Sequence, residues 1–194
     1  MKKVLFTVVI AVLGFTNINA QENEVIGGFA NGDVYVTGEV DVSTWKYDDF
    51  KSNSFRFSPS VGYFATENIA IEASLIIGSS EDVNENEQKS FGGALGATYF
   101  FSPANQFSFN LGFGLAYLSN KVDQAGGEST SNTFVVAVSP GINYFVSDSF
   151  ALTASVGALS YASSKGDWNG AEAANSFNLN LNLSDINMGL IYKF

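Results

Sequence analysis

Large apolar and small, weakly polar side chains alternate with a period of two through most of the chain, and no stretch beyond the N-terminal leader sustains a helical period. From Phe107 to Tyr117 one face carries Phe107, Phe109, Leu111, Phe113, Leu115 and Tyr117. The other carries Ser108, Asn110, Gly112, Gly114 and Ala116. Phe55–Tyr63 and Phe134–Tyr144 repeat the pattern. A chain with this period folds as half-buried β-strands, because successive side chains on a strand point to opposite faces.

Eight strands follow from the alternation, at roughly 33–42, 54–64, 69–78, 89–101, 107–118, 132–145, 150–161 and 177–194. Short connectors, 65–68, 102–106 and 146–149, follow the second, fourth and sixth. Longer polar loops are expected after the others. The segment 58–74, from Ser58-Pro59 to Ala73-Ser74, is echoed at 139–155, an offset of 81 residues, as expected of a hairpin-built meander.

The chemistry of the two faces tells a membrane barrel from a soluble one. A water-facing surface is rich in Lys, Glu and Thr. Here the second face is mostly Gly, Ser, Ala, Asn and Thr, and the charged fraction is 14%, against roughly 25% in ordinary soluble domains. Small residues suit the narrow interior of an eight-strand barrel, and the large apolar face then points outward into lipid. Unpaired backbone is too costly in a bilayer, so the sheet must close. The predicted fold is all-β: an eight-stranded antiparallel up-and-down transmembrane β-barrel. Aromatic side chains crowd both strand ends. Tyr63, Tyr99, Phe101, Phe107, Tyr144, Phe150, Tyr192 and Phe194 lie beside the short turns, and Phe55, Phe91, Tyr117 and Phe134 near the long loops, as interfacial girdles do.

The N-terminus reads as an address. Lys2 and Lys3 precede an apolar run from Val4 to Phe15, too short for the about 20 residues that span a bilayer. Ala20 offers a cleavage position, so residues 1–20 are expected to be a secretory signal peptide and 21–194 the barrel domain. Removing 1–20 takes away Lys2 and Lys3 and no acid, which moves the net charge from −10 to −12. An acidic chain offers no basic footprint for nucleic acid. The chain has no cysteine and no histidine, so disulfides, thiolate metal sites and histidine-dependent catalysis are excluded. No cofactor, resident metal or enzymatic activity is expected.

Three segments carry a family resemblance: Ser58-Pro59-Ser60-Val61-Gly62-Tyr63-Phe64, its copy at 139–145, and the ending Met188-Gly189-Leu190-Ile191-Tyr192-Lys193-Phe194. Together they resemble the eight-stranded outer-membrane barrels of Gram-negative bacteria, akin to OmpA-type and OmpW-type proteins. The resemblance covers essentially all of 21–194. It implies a cell outer-membrane location in contact with the lipid bilayer and lipopolysaccharide. It further implies that Ile186, Met188, Leu190, Tyr192 and Phe194 resemble the signal read by the outer-membrane assembly machinery. Other envelope proteins are further candidate partners. The implied role is structural or interactive, as a free barrel or a subunit of a larger envelope complex. The alternative is a narrow channel for small or hydrophobic solutes.

Strand parity places Glu39, Asp41, Arg56 and Glu72 in the lumen, with Arg56 the one base among them and Glu39 near its level. They read as a neutralising interior ion pair or as an ion-selective point. Phe64, Ile76, Phe100, Val135 and Phe145 share that parity at several levels and are expected to block a continuous channel. Asp82-Val83-Asn84-Glu85-Asn86-Glu87 has the opening spacing of a calcium loop, but Glu87 stands where the turn glycine is needed. A loose calcium site and a plain solvated loop both remain open. Trp45, Tyr47 and Trp168 read equally as binding anchors, girdle residues or loop packing. A shift of apolar parity between Leu183 and Ile186 predicts a one-residue bulge near Ser184-Asp185, and Pro59 and Pro140, which lack an amide hydrogen, should each break one ladder bond and are also candidate bulge positions.

Overall fold

The computed structural model describes residues 26–48, 50–83, 86–124, 127–156, 158–180 and 186–194. Ten strand segments follow one another: β1 (Val34–Tyr47), β2 (Phe50–Phe64), β3 (Ile69–Glu81), β4 (Glu87–Phe100), β5 (Phe107–Gln124), β6 (Gly127–Phe145), β7 (Phe150–Val156), β8 (Ala158–Gly166), β9 (Ala174–Asn180) and β10 (Ile186–Lys193). β7 and β8 run in succession along β6, and β9 and β10 along β8 and β7, so the ten segments make eight staves. All pairings are antiparallel between neighbours in sequence, and β10 returns to β1 to close the barrel. No helix of the described residues is long and apolar enough to cross a membrane; the crossing is by strands.

The alternation has the polarity read from sequence. The outward rings of Tyr63, Tyr99, Phe101, Phe107 and Phe194 are exposed, and they touch edge-on in pairs such as Tyr99–Phe101 at 5.2 Å and Tyr192–Phe194 at 5.0 Å. The short connectors are as expected. The long polar loops are not. β1 and β2 stay paired to Tyr47↔Phe50, and β5 and β6 to Gln124↔Gly127, so most of the polar sequence lies in hairpins that extend the barrel wall. Asp48, at the first hairpin tip, takes the left-handed conformation with φ 53°, which aspartate tolerates better than most side chains. Cross-strand pairing continues there because Ser, Thr, Asn and Lys meet water at the tip without losing the ladder.

The seventh stave was expected to be one unbroken strand. Instead its register to β6 shifts: Val138 faces Leu159 but Gly141 faces Ser155, leaving three residues opposite two. Outward parity therefore changes from even at Phe150 and Leu152 to odd at Leu159 and Tyr161. The last stave changes as predicted, odd at Phe177 and Leu179 and even from Ile186. Ser184 and Asp185 lie outside the described residues. Pro59 sits at no bulge. The register to β3 is the same at Phe57↔Ile77 and Ser60↔Ser74, and only the pairs between are missing. Pro140 keeps its pairing with Leu111, and on its other side the described pairings to β7 and β8 stop at Gly141↔Ser155 and Val138↔Leu159, on either side of it.

Candidate functional site

The short-turn end has a floor. Phe64, Phe100 and Phe145 are the last residues of β2, β4 and β6, each preceded by an outward tyrosine, and all three point inward and are buried. Their rings gather at one level around Phe29, while Ile76 of the same parity lines the lumen. The segment from Ile26 to Asp33 crosses this end and inserts Phe29, 3% exposed, among them. Its ring centroid lies 4.5 Å from Phe64, 4.8 Å from Phe145, 5.5 Å from Phe100 and 5.3 Å from Tyr35.

The backbone holds that segment in place. The amide of Phe29 donates to the Pro103 carbonyl at 2.7 Å, and that of Gly32 to the Phe64 carbonyl at 2.9 Å. Gly27 and Gly28 have φ of 71° and 129°, and a Cβ on Gly28 would meet the Ala104 carbonyl oxygen at 2.5 Å, so only glycine passes there. The Lys193 ammonium donates to the Gly28 carbonyl at 2.6 Å and lies 3.7 Å from Asp33. Lys193 is thus a base of the floor itself, apart from the lumen that Arg56 lines.

Above the floor is a polar lumen of about 380 Å³. Tyr35, Phe100, Asn143 and Ile191 line its base, and Glu39, Arg56, Glu72, Ser155 and Thr153 its wall. Tyr35 donates to Glu72 Oε1 at 2.6 Å, and Thr98 donates to the same oxygen at 3.4 Å. The Tyr35 ring reaches this position across bare backbone: a Cβ on Gly62 would lie 2.1 Å from Tyr35 Cζ. Neutral bridges tie other staves, Ser60 to Ser74 at 2.7 Å and Asn110 to Asn143 at 3.1 Å.

Arg56 faces Asp41 directly in the register, with Glu39 facing Ser58 one inward step nearer the floor. Glu39, Asp41 and Arg56 are all solvent-accessible, and among the described residues no ion pair within 4.0 Å joins Arg56 to a carboxylate. The buried, neutralising pair of the sequence reading is therefore a wet, loosely associated group. Water screens such charges, so Arg56→Ala should change unfolding free energy by no more than about 1 kcal/mol, rather than the 3–5 kcal/mol of a buried pair. Urea unfolding of the refolded barrel in lipid checks this.

A closed wall with an outward apolar face, a small-residue lumen and aromatic bands at both ends is the construction of an outer-membrane barrel. Residues 8–194 match the family model described as outer membrane protein beta-barrel domain. The chain belongs to that family. No curated protein matches it significantly. Among solved structures, it is similar to the outer membrane protein OprG from Pseudomonas aeruginosa, with TM-score 0.55 and 13% identity over 87% of this chain and 99% of that one. It is similar to neisserial surface protein A, with TM-score 0.54 and 20% identity over 83% and 97%. It also resembles the N-terminal β-barrel domain of Pseudomonas aeruginosa OprF, with TM-score 0.51 and 17% identity over 86% and 100%. At these identities the likeness is one of fold. The protein is an outer-membrane barrel embedded in the lipid bilayer.

In this outer membrane protein beta-barrel domain, the hairpin end is polar and exposed. Lys121 bridges Glu128 at 2.7 Å across β5 and β6 and holds that carboxyl below its usual value. Trp45 and Tyr47 stack at 6.3 Å near the β1–β2 tip, and by parity they stand on the lumen face above the mouth. Trp168 covers Gly166, where a Cβ would overlap its ring. Asp82 accepts from the Asn86 backbone and side-chain amides at 3.1 and 2.8 Å, so its carboxylate closes a turn. Asn84 and Glu85 lie outside the described residues, and among those described no three acidic side chains cluster as metal ligands do. Sequence reasoning missed Phe29 and Tyr35. One lone aromatic among Gly27, Gly28 and Gly32, and one tyrosine on the small-residue face, were the available signals.

Proposed function

We propose that this barrel is a non-enzymatic structural or interaction protein of a Gram-negative outer membrane, working through its hairpin end and lipid face as a scaffold or subunit of an envelope complex. The floor at Phe29 supports this reading most directly, because it turns the lumen into a blind cup. Short turns face the periplasm in such barrels, so the cup opens outward. Lipopolysaccharide then surrounds the hairpin end, and residues 1–20 act as the export signal. The direct test is current recording in planar bilayers, paired with purification from mild detergent. No stable conductance and a co-purifying envelope protein are expected. A reproducible conductance with no partner would instead favour the narrow channel for small or hydrophobic solutes, a reading drawn from the polar lining of the lumen.

The outward series Ile186, Met188, Leu190, Tyr192 and Phe194 is the proposed signal for the assembly machinery. Phe194 is exposed and touches only Tyr192 among the aromatic rings of the described residues. Phe194→Ala should therefore reduce folded barrel in the membrane several-fold at native expression while leaving the stability of refolded protein nearly unchanged. Quantifying heat-modifiable protein in outer-membrane fractions checks both.

A further inference from the structure

The wall is weakest where it closes. β1 pairs with β10 over five positions, from Tyr35↔Lys193 to Glu39↔Gly189. The two strands continue, as Val40–Val42 and Ile186–Met188, yet no pairing joins those residues. A cavity of about 360 Å³ lies there, lined by Glu39, Val40, Asp41, Val42, Arg56, Ile186, Asn187 and Met188. Val42 faces Phe55 of the upper aromatic band, and Val34 faces Tyr63 of the lower one. The gap therefore lies at membrane depth, just below the hairpin-end interface. Backbone without a ladder is costly at that depth unless water or a ligand satisfies it.

The lining is two-sided. By parity Val40, Val42, Ile186 and Met188 face the acyl chains, and all four are more than half exposed. Glu39, Asp41, Arg56 and Asn187 face the lumen. Two carboxylates outnumber one guanidinium, which disfavours a purely anionic occupant, and the guanidinium offers a place for one anionic group. We propose that the β1–β10 seam is a binding slot for a zwitterionic amphiphile, its ammonium against Glu39 and Asp41, its anionic group against Arg56, and its chain across Val40, Val42, Ile186 and Met188.

The test is native mass spectrometry of the full barrel in a neutral maltoside detergent, titrated with dodecylphosphocholine, dodecyl phosphate or dodecyltrimethylammonium. These probes share a chain length and differ in head charge. Dodecylphosphocholine should form a saturable one-to-one adduct, at least ten-fold tighter than the other two. The double variant Glu39→Gln/Asp41→Asn should weaken it ten-fold or more. So should Met188→Trp, which fills the apolar half without touching a charge. Heat-modifiable migration identifies variants that remain folded. Equal binding of all three probes, affinity unchanged in both folded variants, or a dimer pairing through this edge would overturn the proposal.

Discussion

Phe29→Ala should lower the unfolding free energy of the refolded barrel by about 3–5 kcal/mol, the usual cost of emptying a well-packed aromatic site. Phe29 belongs to no barrel strand, yet its ring meets four others within 5.5 Å. The walls around it cannot collapse inward to refill the space, because Phe64, Phe100 and Phe145 are held by strand ends. Their amides donate to the carbonyls of Asp33, Asn68 and Gln106 respectively, at 2.8–2.9 Å. Urea titration followed by far-ultraviolet circular dichroism measures the loss. Phe109→Ala, which removes an exposed outward ring, should cost less. Equal losses at the two positions would mean that Phe29 is no keystone of the floor.

Gly62→Ala should cost about 3 kcal/mol, from overpacking together with a weakened charge-assisted hydrogen bond. The added methyl would lie 2.1 Å from Tyr35 Cζ, and the strand paired on either side of Gly62 cannot move away. The ring must leave, and its hydroxyl then loses Glu72. The cost should nearly vanish in a Tyr35→Ala background, giving a coupling of about 2 kcal/mol in a double-mutant cycle. An undiminished cost in that background would place the strain elsewhere than the ring.

Much of the wall was legible because strand period and membrane chemistry reinforce one another. Each outward Phe, Tyr, Leu or Val marks its own face, and the odd-to-even change between Leu179 and Ile186 marks a register shift. The floor was less legible. Phe64, Phe100 and Phe145 announce inward parity, but their meeting at one height depends on stagger between staves, which no single strand records. Parity set Glu39, Arg56 and Glu72 on the face that lines the cavity. Whether Arg56 is dry or wet depends on the width of the lumen around it, so the expected buried pair became an open group.

The chain's own order of residues determined the strand period, the inside-out chemistry, the short turns and so the membrane barrel, since these rest on local alternation and on which side chains lipid tolerates. Tertiary structure alone decided the rest. The polar loops became hairpins because their neighbours offered ladders to extend. Phe29 became a plug because three strand ends converge around it. The seam between Val40–Val42 and Ile186–Met188 lies where the first and last staves, farthest apart in sequence, meet and their pairing stops at Glu39↔Gly189. Register between distant strands is a property of closure, and local sequence does not encode it.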